Sequence, residues 1–354
     1  MARTTERAVR RAARRAVVAL LAVLLVAGPA VGPAAAAEGS RREFTVRDER
    51  ITESSGLTAS QRHPGVYWTH NDSDDGPYVY GVDAATGRTV ATLTLRGVKP
   101  RDVEAIALGP EGRLYLADIG DNLHGKWPEV WLYAFEEPAR LADQTVQVTK
   151  YRVRYADGPR DAEALLVHPV TGRVYIASKD QREGHLYEGP ESLSSTAVNV
   201  FRPVGDVPWV TDGAFSPDGR RVVLRGYFWA KLYDWTGGGL GAEKSVSVPF
   251  QRQGESVTFT ADGSALMFGS EGKGSEVWRV PVPGAEKSAD PSATPGAQPT
   301  GSPTGTAAPS ATASGSPVAT VAQPGEGPNH LGALLLAAAA VGALVWWRKG
   351  RAKG

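Results

Sequence analysis

Five times along this chain an acidic residue opens a short apolar strand, a turn rich in Pro, Gly or Asp follows, and a second strand carrying Tyr, Trp or branched residues comes next. The first copy reads Glu53-Ser54-Ser55-Gly56-Leu57, then His63-Pro64-Gly65, then Val66-Tyr67-Trp68. The later copies open at Glu104, Glu163, Asp212 and Glu255, with turns at 109–112, 169–172, 216–219 and 261–263 and second strands at 114–116, 174–176, 222–224 and 265–268. The acidic anchors lie 51, 59, 49 and 43 residues apart. A repeat of that length is a small sheet that cannot cover both its faces alone, so the copies must stack on one another.

Third strands are expected at 78–83, 130–136, 185–188, 231–235 and 276–280, and fourth strands at 89–95, 146–155, 198–204 and 245–250. The last copy has no fourth strand of its own. The alternating segment 44–50 is the one strand left over, and a propeller closes its ring in that way, with the N-terminal strand completing the final blade. The expectation is therefore an all-β, five-bladed β-propeller spanning 38–283. A six-bladed ring is the alternative if the loop at 120–129 hides further strands. A β-sandwich has no reason to repeat one acid and one turn five times.

The ends read as addresses. Six arginines against Glu6 open the chain, an apolar run of 12 residues follows at 16–27, and Ala35-Ala36-Ala37 supplies a cleavage site, so 1–37 is expected to be an export signal peptide. Residues 284–329 are rich in Pro, Ser, Thr, Ala and Gly, with 8 prolines and no aromatic, the composition of a disordered stalk. Residues 331–347 are uncharged and end in Trp346-Trp347, and Arg348, Lys349, Arg351 and Lys353 follow. That pattern fits one C-terminal transmembrane helix (330–347) with a cytoplasmic tail (348–354) and the propeller outside, a single-pass type I arrangement. A cleaved wall-sorting signal shares the pattern, but Gln323-Pro324-Gly325-Glu326-Gly327 is not the Leu-Pro-x-Thr-Gly element that the sortase class requires.

Charge is segregated. The start carries +5 and the tail +4, so a net charge of +1 leaves −8 for the remainder. A net-acidic body lacks the clustered basic face that nucleic acid needs. There is no Cys, which removes disulfides, thiolate metal sites and cysteine nucleophiles. Five His in the body show no H-x-H or H-E-x-x-H spacing, and there is no G-x-S-x-G elbow, P-loop or Rossmann fingerprint, so no nucleotide cofactor is expected.

An acid opening each innermost strand points towards a common axis. Glu53, Glu104, Glu163, Asp212 and Glu255 can form a carboxylate ring, and like charges facing one another need protons or a cation. Ca²⁺ fits such a ring because it takes six to eight oxygens in loose geometry. The competing reading is a structural latch, each acid accepting backbone N–H bonds from the neighbouring blade. A second layer follows the second strand of each copy: His70, Asn71, Asp72; Asp118, Asp121, Asn122; Lys179, Asp180; Arg225, Tyr227; Ser270, Glu271. These rim residues are candidates for a ligand site. Lys179 and Arg225 either hold an anion or offset the carboxylates by ion pairing.

The phrases Glu53-Ser54-Ser55-Gly56-Leu57, Asn71-Asp72, Arg101-Asp102-Val103-Glu104-Ala105, Arg160-Asp161-Ala162-Glu163-Ala164 and Leu116-Ala117-Asp118-Ile119-Gly120-Asp121-Asn122 resemble bacterial SdiA-regulated and NHL-like propellers, and more distantly gluconolactonase-type and phytase-like ones. The resemblance implies that acidic and Asn side chains from several blades line a central channel and, in the calcium-dependent members, hold the metal. Two functions are carried forward. The first is a cell-surface binding or scaffold module whose rim engages an extracellular protein, glycan or small molecule. The second is a calcium-dependent hydrolase of lactones or phosphoesters, with His70 beside Asp72 as the one candidate base.

Overall fold

The computed structural model describes residues 39–284 apart from Asp74 and residues 122–124, and in them strand follows strand with a single short 3-10 turn at Pro110–Gly112. The chain is all-β there. The expected leader (1–37), nearly all of the stalk, the expected span (330–347) and the tail lie outside the described residues. No helix among the described residues is long and apolar enough to cross a membrane.

A leading strand β1 (Arg41–Thr45) precedes four-stranded antiparallel units. Unit 1 is β2 (Ser54–Ala59), β3 (Val66–Asn71), β4 (Tyr78–Asp83) and β5 (Arg88–Leu95). Unit 2 is β6 (Val103–Leu108), β7 (Arg113–Asp118), β8 (Val130–Glu136) and, after a short β9 (Gln144–Val146), β10 (Thr149–Tyr155). Unit 3 is β11 (Ala162–Val167), β12 (Val174–Ser178), β13 (His185–Glu188) and β14 (Val198–Asp206). Unit 4 is β15 (Asp212–Phe215), β16 (Arg221–Gly226), β17 (Trp229–Thr236) and β18 (Gly239–Val246). Unit 5 is β19 (Gly254–Phe259), β20 (Ala265–Ser270) and β21 (Glu276–Pro281), and β1 pairs with β21 as its fourth strand. Two parallel pairs tie outer edges together: β9 joins β5, and β10 joins β14.

Besides shifts of one or two residues at other ends, three strands depart from the sequence expectation, each for a local reason. The leading strand sits at Arg41–Thr45 rather than 44–50, because the chain turns at Asp48, whose Oδ1 accepts the Arg50 N–H at 3.0 Å and whose carbonyl accepts the Ile51 N–H at 3.1 Å. The run 146–155 divides, since β9 crosses to unit 1 while β10 stays in unit 2. The last strand of unit 4 begins at Gly239 and ends at Val246, because Gly237 and Gly238, at φ of 61° and 83°, close a tight hairpin just ahead of it. That left-handed region is open to glycine at no steric cost.

Alternation along each strand gives every unit two apolar faces, and the faces pack in pairs. Trp68, Val79 and Leu93 of unit 1 meet Leu114, Leu116 and Tyr133 of unit 2. Leu132 and Val153 of unit 2 meet Leu165, Ile176 and Phe201 of unit 3. Leu166 and Leu186 meet Val222 and Leu224 across units 3 and 4, and Val223 and Leu232 meet Phe259, Leu266 and Phe268 across units 4 and 5. A fifth cluster, with Phe44 and Ile51 between Leu57, Tyr67 and Tyr80 of unit 1 and Met267 and Val277 of unit 5, joins last to first. The opening strands lie side by side in the same order: β2 by β6, β6 by β11, β11 by β15, β15 by β19 and β19 by β2.

Candidate functional site

The anchor acids sit where the opening strands are irregular. In units 2, 3 and 5 the register between the first and second strands slips across Glu104, Glu163 and Glu255, and in unit 1 it slips just after Glu53. A bulge of this kind leaves a residue unpaired and re-aims its side chain. Unit 4 has no slip, and Asp212 behaves differently. Its carboxylate accepts the Val257 N–H of unit 5 and its neighbour's Gly213 N–H, both at 2.7 Å. Asp212 is a latch between units.

Glu104, Glu163 and Glu255 are each 5% exposed and are grouped around Lys179 at the end of β12. The Lys179 ammonium forms an ion pair with Glu163 and donates to the Tyr227 hydroxyl at 3.1 Å. Burial opposes its charge, yet Glu163, Tyr227, Glu255 and Glu104 outweigh burial and hold its pKa well above the usual value. Burial pushes the Glu163 carboxyl up to about 8 against the pull of Lys179. Burial first, and then neighbouring carboxylates, raise Glu104 and Glu255 well above the ordinary range. Among the described residues no hydrogen bond or ion pair reaches the carboxylate of Glu104 or Glu255. Among the described residues one ammonium lies within the three buried carboxylates, and the Arg225 guanidinium adds a weaker pull on Glu255, which leaves the group short of positive charge.

On the unit 1 and unit 2 side, Asp72, Asp102 and Glu104 bring one carboxylate oxygen each to within 4.8 Å of one another, and all three residues are buried. The backbone is arranged to hold them. Asp118, at the end of β7 and without solvent exposure, accepts the N–H groups of Asp102 and Arg101 at 3.1 and 3.2 Å and the Tyr133 hydroxyl at 3.2 Å. Arg101 is stacked between Trp127 and Trp131, its guanidinium carbon 3.9 and 3.5 Å from their ring centres. The Asp72 carbonyl accepts the Val103 N–H, which links the two units beside the cluster. Gly120 faces it directly, since a Cβ there would lie 2.8 Å from the Asp102 Oδ2 and closer still to Glu104. An all-oxygen, anionic donor set with space kept free by a glycine fits a hard divalent cation such as Ca²⁺, with carbonyls or water completing its shell.

The other expected site residues divide between structure and mouth. His70 is buried, its Nδ1 lies 3.1 Å from the Asn71 carbonyl, and burial lowers its pKa to about 4. Its Nε2 packs against Gly56, where a Cβ would sit 2.6 Å away. Asn71 accepts the Thr52 and Glu53 N–H groups and donates to the Arg50 carbonyl and Asp75, so it is spent on the chain around it. Asp121 accepts the Trp127 N–H, while Asp180 holds the N–H groups of Arg182 and Glu183 in an exposed turn. Asn122 lies outside the described residues. Arg225 is wholly buried and donates to the carbonyls of Ser256, Gly269 and Gly226, joining units 4 and 5; burial lowers its pKa to about 10. Glu53 is half-buried and accepts from Ser73. Glu271 accepts from Gln253 and Ser55, which ties unit 5 to unit 1, and buried Ser270 pairs with Gly254. Asp102 and Asp161 are the acids that the anchor pattern passed over. Each lies two residues before an anchor, a spacing that puts both on one side of an extended chain.

The opposite ends of the opening strands are apolar, and a cavity there is lined by Ala59, Ile106, Leu165, Phe215 and Phe259, one from each unit. No family model matches this sequence, and no curated protein matches it. Among solved structures it is similar to the hydrazine synthase of Kuenenia stuttgartiensis, at 14% identity and a TM-score of 0.38, over 69% of this chain. The chain spans 59% of the length of that structure, and a likeness this loose carries no argument about fold or activity.

Proposed function

We propose that the described domain is a five-bladed β-propeller closed by its N-terminal strand, and that it serves as an exported, cell-surface binding module whose charged mouth holds a divalent cation at Asp72, Asp102 and Glu104. The blade count is supported by five apolar interfaces that run from each unit to the next and from the last to the first. A cavity lined from all five opening strands supports a common axis. The observation that carries the functional reading is the buried triad, with no hydrogen bond reaching the Glu104 carboxylate among the described residues. Anions packed this way need a cation or a proton, and calcium would offset their repulsion while leaving part of its shell open to a ligand's oxygens.

Binding is preferred to hydrolysis because His70, the base that a hydrolase reading needs, is held by its neighbour's carbonyl and packed against Gly56. Anchoring rests on the sequence pattern at 330–354. Val282 leaves the domain beside Ser264, at the turn end of unit 5 and away from Glu255. The test is thermal melting of the full chain with calcium and with chelator. A ligand bound only by the native state at a hundred times its Kd adds about 2.7 kcal/mol. Calcium should raise Tm in the parent and leave Asp102→Asn unmoved; identical melts with and without calcium would reject the cation site.

A further inference from the structure

The described residues expose four large hydrophobic side chains, and the two aromatic ones, Phe228 at 44% and Phe250 at 80%, both stand on loops at the charged end of the domain. Phe228 lies in the two-residue turn between β16 and β17, next to the Tyr227 that Lys179 contacts. Phe250 lies in the connection from β18 to β19, just ahead of Glu255. The two loops meet, because the Tyr227 carbonyl is 2.8 Å from where a Gly254 Cβ would be. Trp209 closes the group, its ring edge-on to Tyr227 at 5.3 Å.

These loops are stiff. Gln251, beside Phe250, is buried and donates to the carbonyls of Phe268 and Glu276, and Thr211 donates to the Gly254 carbonyl at 3.2 Å. Phe250 therefore stays exposed on a fixed loop where it adds nothing to the core. Exposed aromatic surface on a rigid frame is a mark of an interaction site. Five residues on along the chain from Phe250 is Glu255, buried and, among the described residues, without a hydrogen bond or ion pair; burial, Glu163 and Glu271 raise its pKa and outweigh Lys179 and Arg225, which lower it.

We infer that this sector of the mouth is a docking site for a peptide segment that presents Arg or Lys next to an apolar side chain. The cationic group would pair with Glu255 and Glu271, and the apolar neighbour would lie on Phe228 and Phe250. Charge selects the partner. The carboxylates repel anionic lipid surfaces and nucleic acid, and they offer a neutral sugar no complementary charge. Phe rings without a polar tip favour an apolar side chain over hydroxyls. This inference rests on reading the domain as a binding module and names the partner of that module; its residues come from units 4 and 5, and those of the cation triad from units 1 and 2.

The test is fluorescence anisotropy of the full chain in detergent with labelled pentapeptides Gly-Leu-Arg-Leu-Gly, Gly-Leu-Gln-Leu-Gly and Gly-Leu-Glu-Leu-Gly, and with a labelled chitotriose. The arginine peptide should bind saturably, and Phe250→Ala, a change at an exposed position, should weaken it about five- to tenfold. Glu255→Gln should weaken it about tenfold. Equal binding of the arginine and glutamine peptides, no saturable binding of the arginine peptide, or Phe250-dependent binding of chitotriose in its place would each overturn the inference. A calcium-induced rise in Tm measured on the same preparation keeps a failure here distinct from a failure of the cation site.

Discussion

Lys179→Met removes the only ammonium that the described residues place among Glu104, Glu163 and Glu255 while keeping an unbranched side chain of similar length, so the loss is mainly electrostatic. The Lys179 side chain is 14% exposed and its partner Glu163 6%. Removing one member of a buried pair typically costs about 3–5 kcal/mol. At about 2–4 °C per kcal/mol for a domain of this size, Tm should fall by about 6–20 °C at a pH well above 8, where Glu163 is ionised. The pH dependence has a definite sign. The Glu163 carboxyl titrates near 8 in the folded protein against 4.5 for a free side chain. An acid raised in this way keeps its full stability below the unfolded pKa and loses it as pH climbs towards the folded one. Lysine holds that folded value down, so the variant's value moves higher and its loss continues past pH 8. Urea unfolding in chelator, followed by tryptophan fluorescence, should show little deficit near about pH 5 and one that opens above about pH 8 and grows by about 1.4 kcal/mol with each further pH unit. A deficit equal at about pH 5 and about pH 9.5 would mean lost packing rather than lost charge, and one below about 1 kcal/mol at about pH 9.5 would refute the account of a lysine-neutralised ring.

Arg225→Met strands the carbonyls of Ser256 and Gly269, now bonded at 2.8 and 3.0 Å; at about 1–3 kcal/mol each, equilibrium unfolding should show a loss of about 2–6 kcal/mol, and a loss under 1 kcal/mol would discount the latch. Gly120→Ala should push Asp102 and Glu104 apart and weaken calcium binding at least about tenfold by titration, whereas an unchanged affinity would remove Gly120 from the site. Deleting 41–45 uncovers the β21 edge and removes Phe44, which is 6% exposed; a loss of about 3–5 kcal/mol with aggregation is expected, and a melt within a degree or two of the parent would contradict closure by the N-terminal strand.

Much of the strand pattern was legible because the repeat fixes phase as well as period. The third strands Tyr78–Asp83, Val130–Glu136 and His185–Glu188 lie where alternation and flanking turns put them. Edges were harder to read. Unit 4's last strand slid towards its Gly237-Gly238 turn, and the long run 146–155 split between two units, because outer strands take their limits from partners far along the chain. At the site, the anchor pattern singled out Glu104, Glu163 and Glu255, and the structure gathers these three around Lys179. It offered no means of separating Asp212, which faces backbone N–H groups because its strand lacks the bulge of the others. Asp102 shares a phrase with Glu104, and a pattern of one acid per repeat does not mark it as a site residue. Arg225 reads as a rim cation by position, yet its role is decided by three carbonyls that no local pattern reveals.

Isothermal calorimetry of the full chain with calcium, after exhaustive chelation and alongside Glu104→Gln and Asp72→Asn, tests the central claim most directly. Replacing one carboxylate of three leaves the shape of the site and removes charge, so the variants should bind at least about tenfold more weakly. The account predicts a single saturable site per chain that either substitution weakens. A flat titration of the parent, or binding that both variants retain in full, would contradict a cation site at Asp72, Asp102 and Glu104.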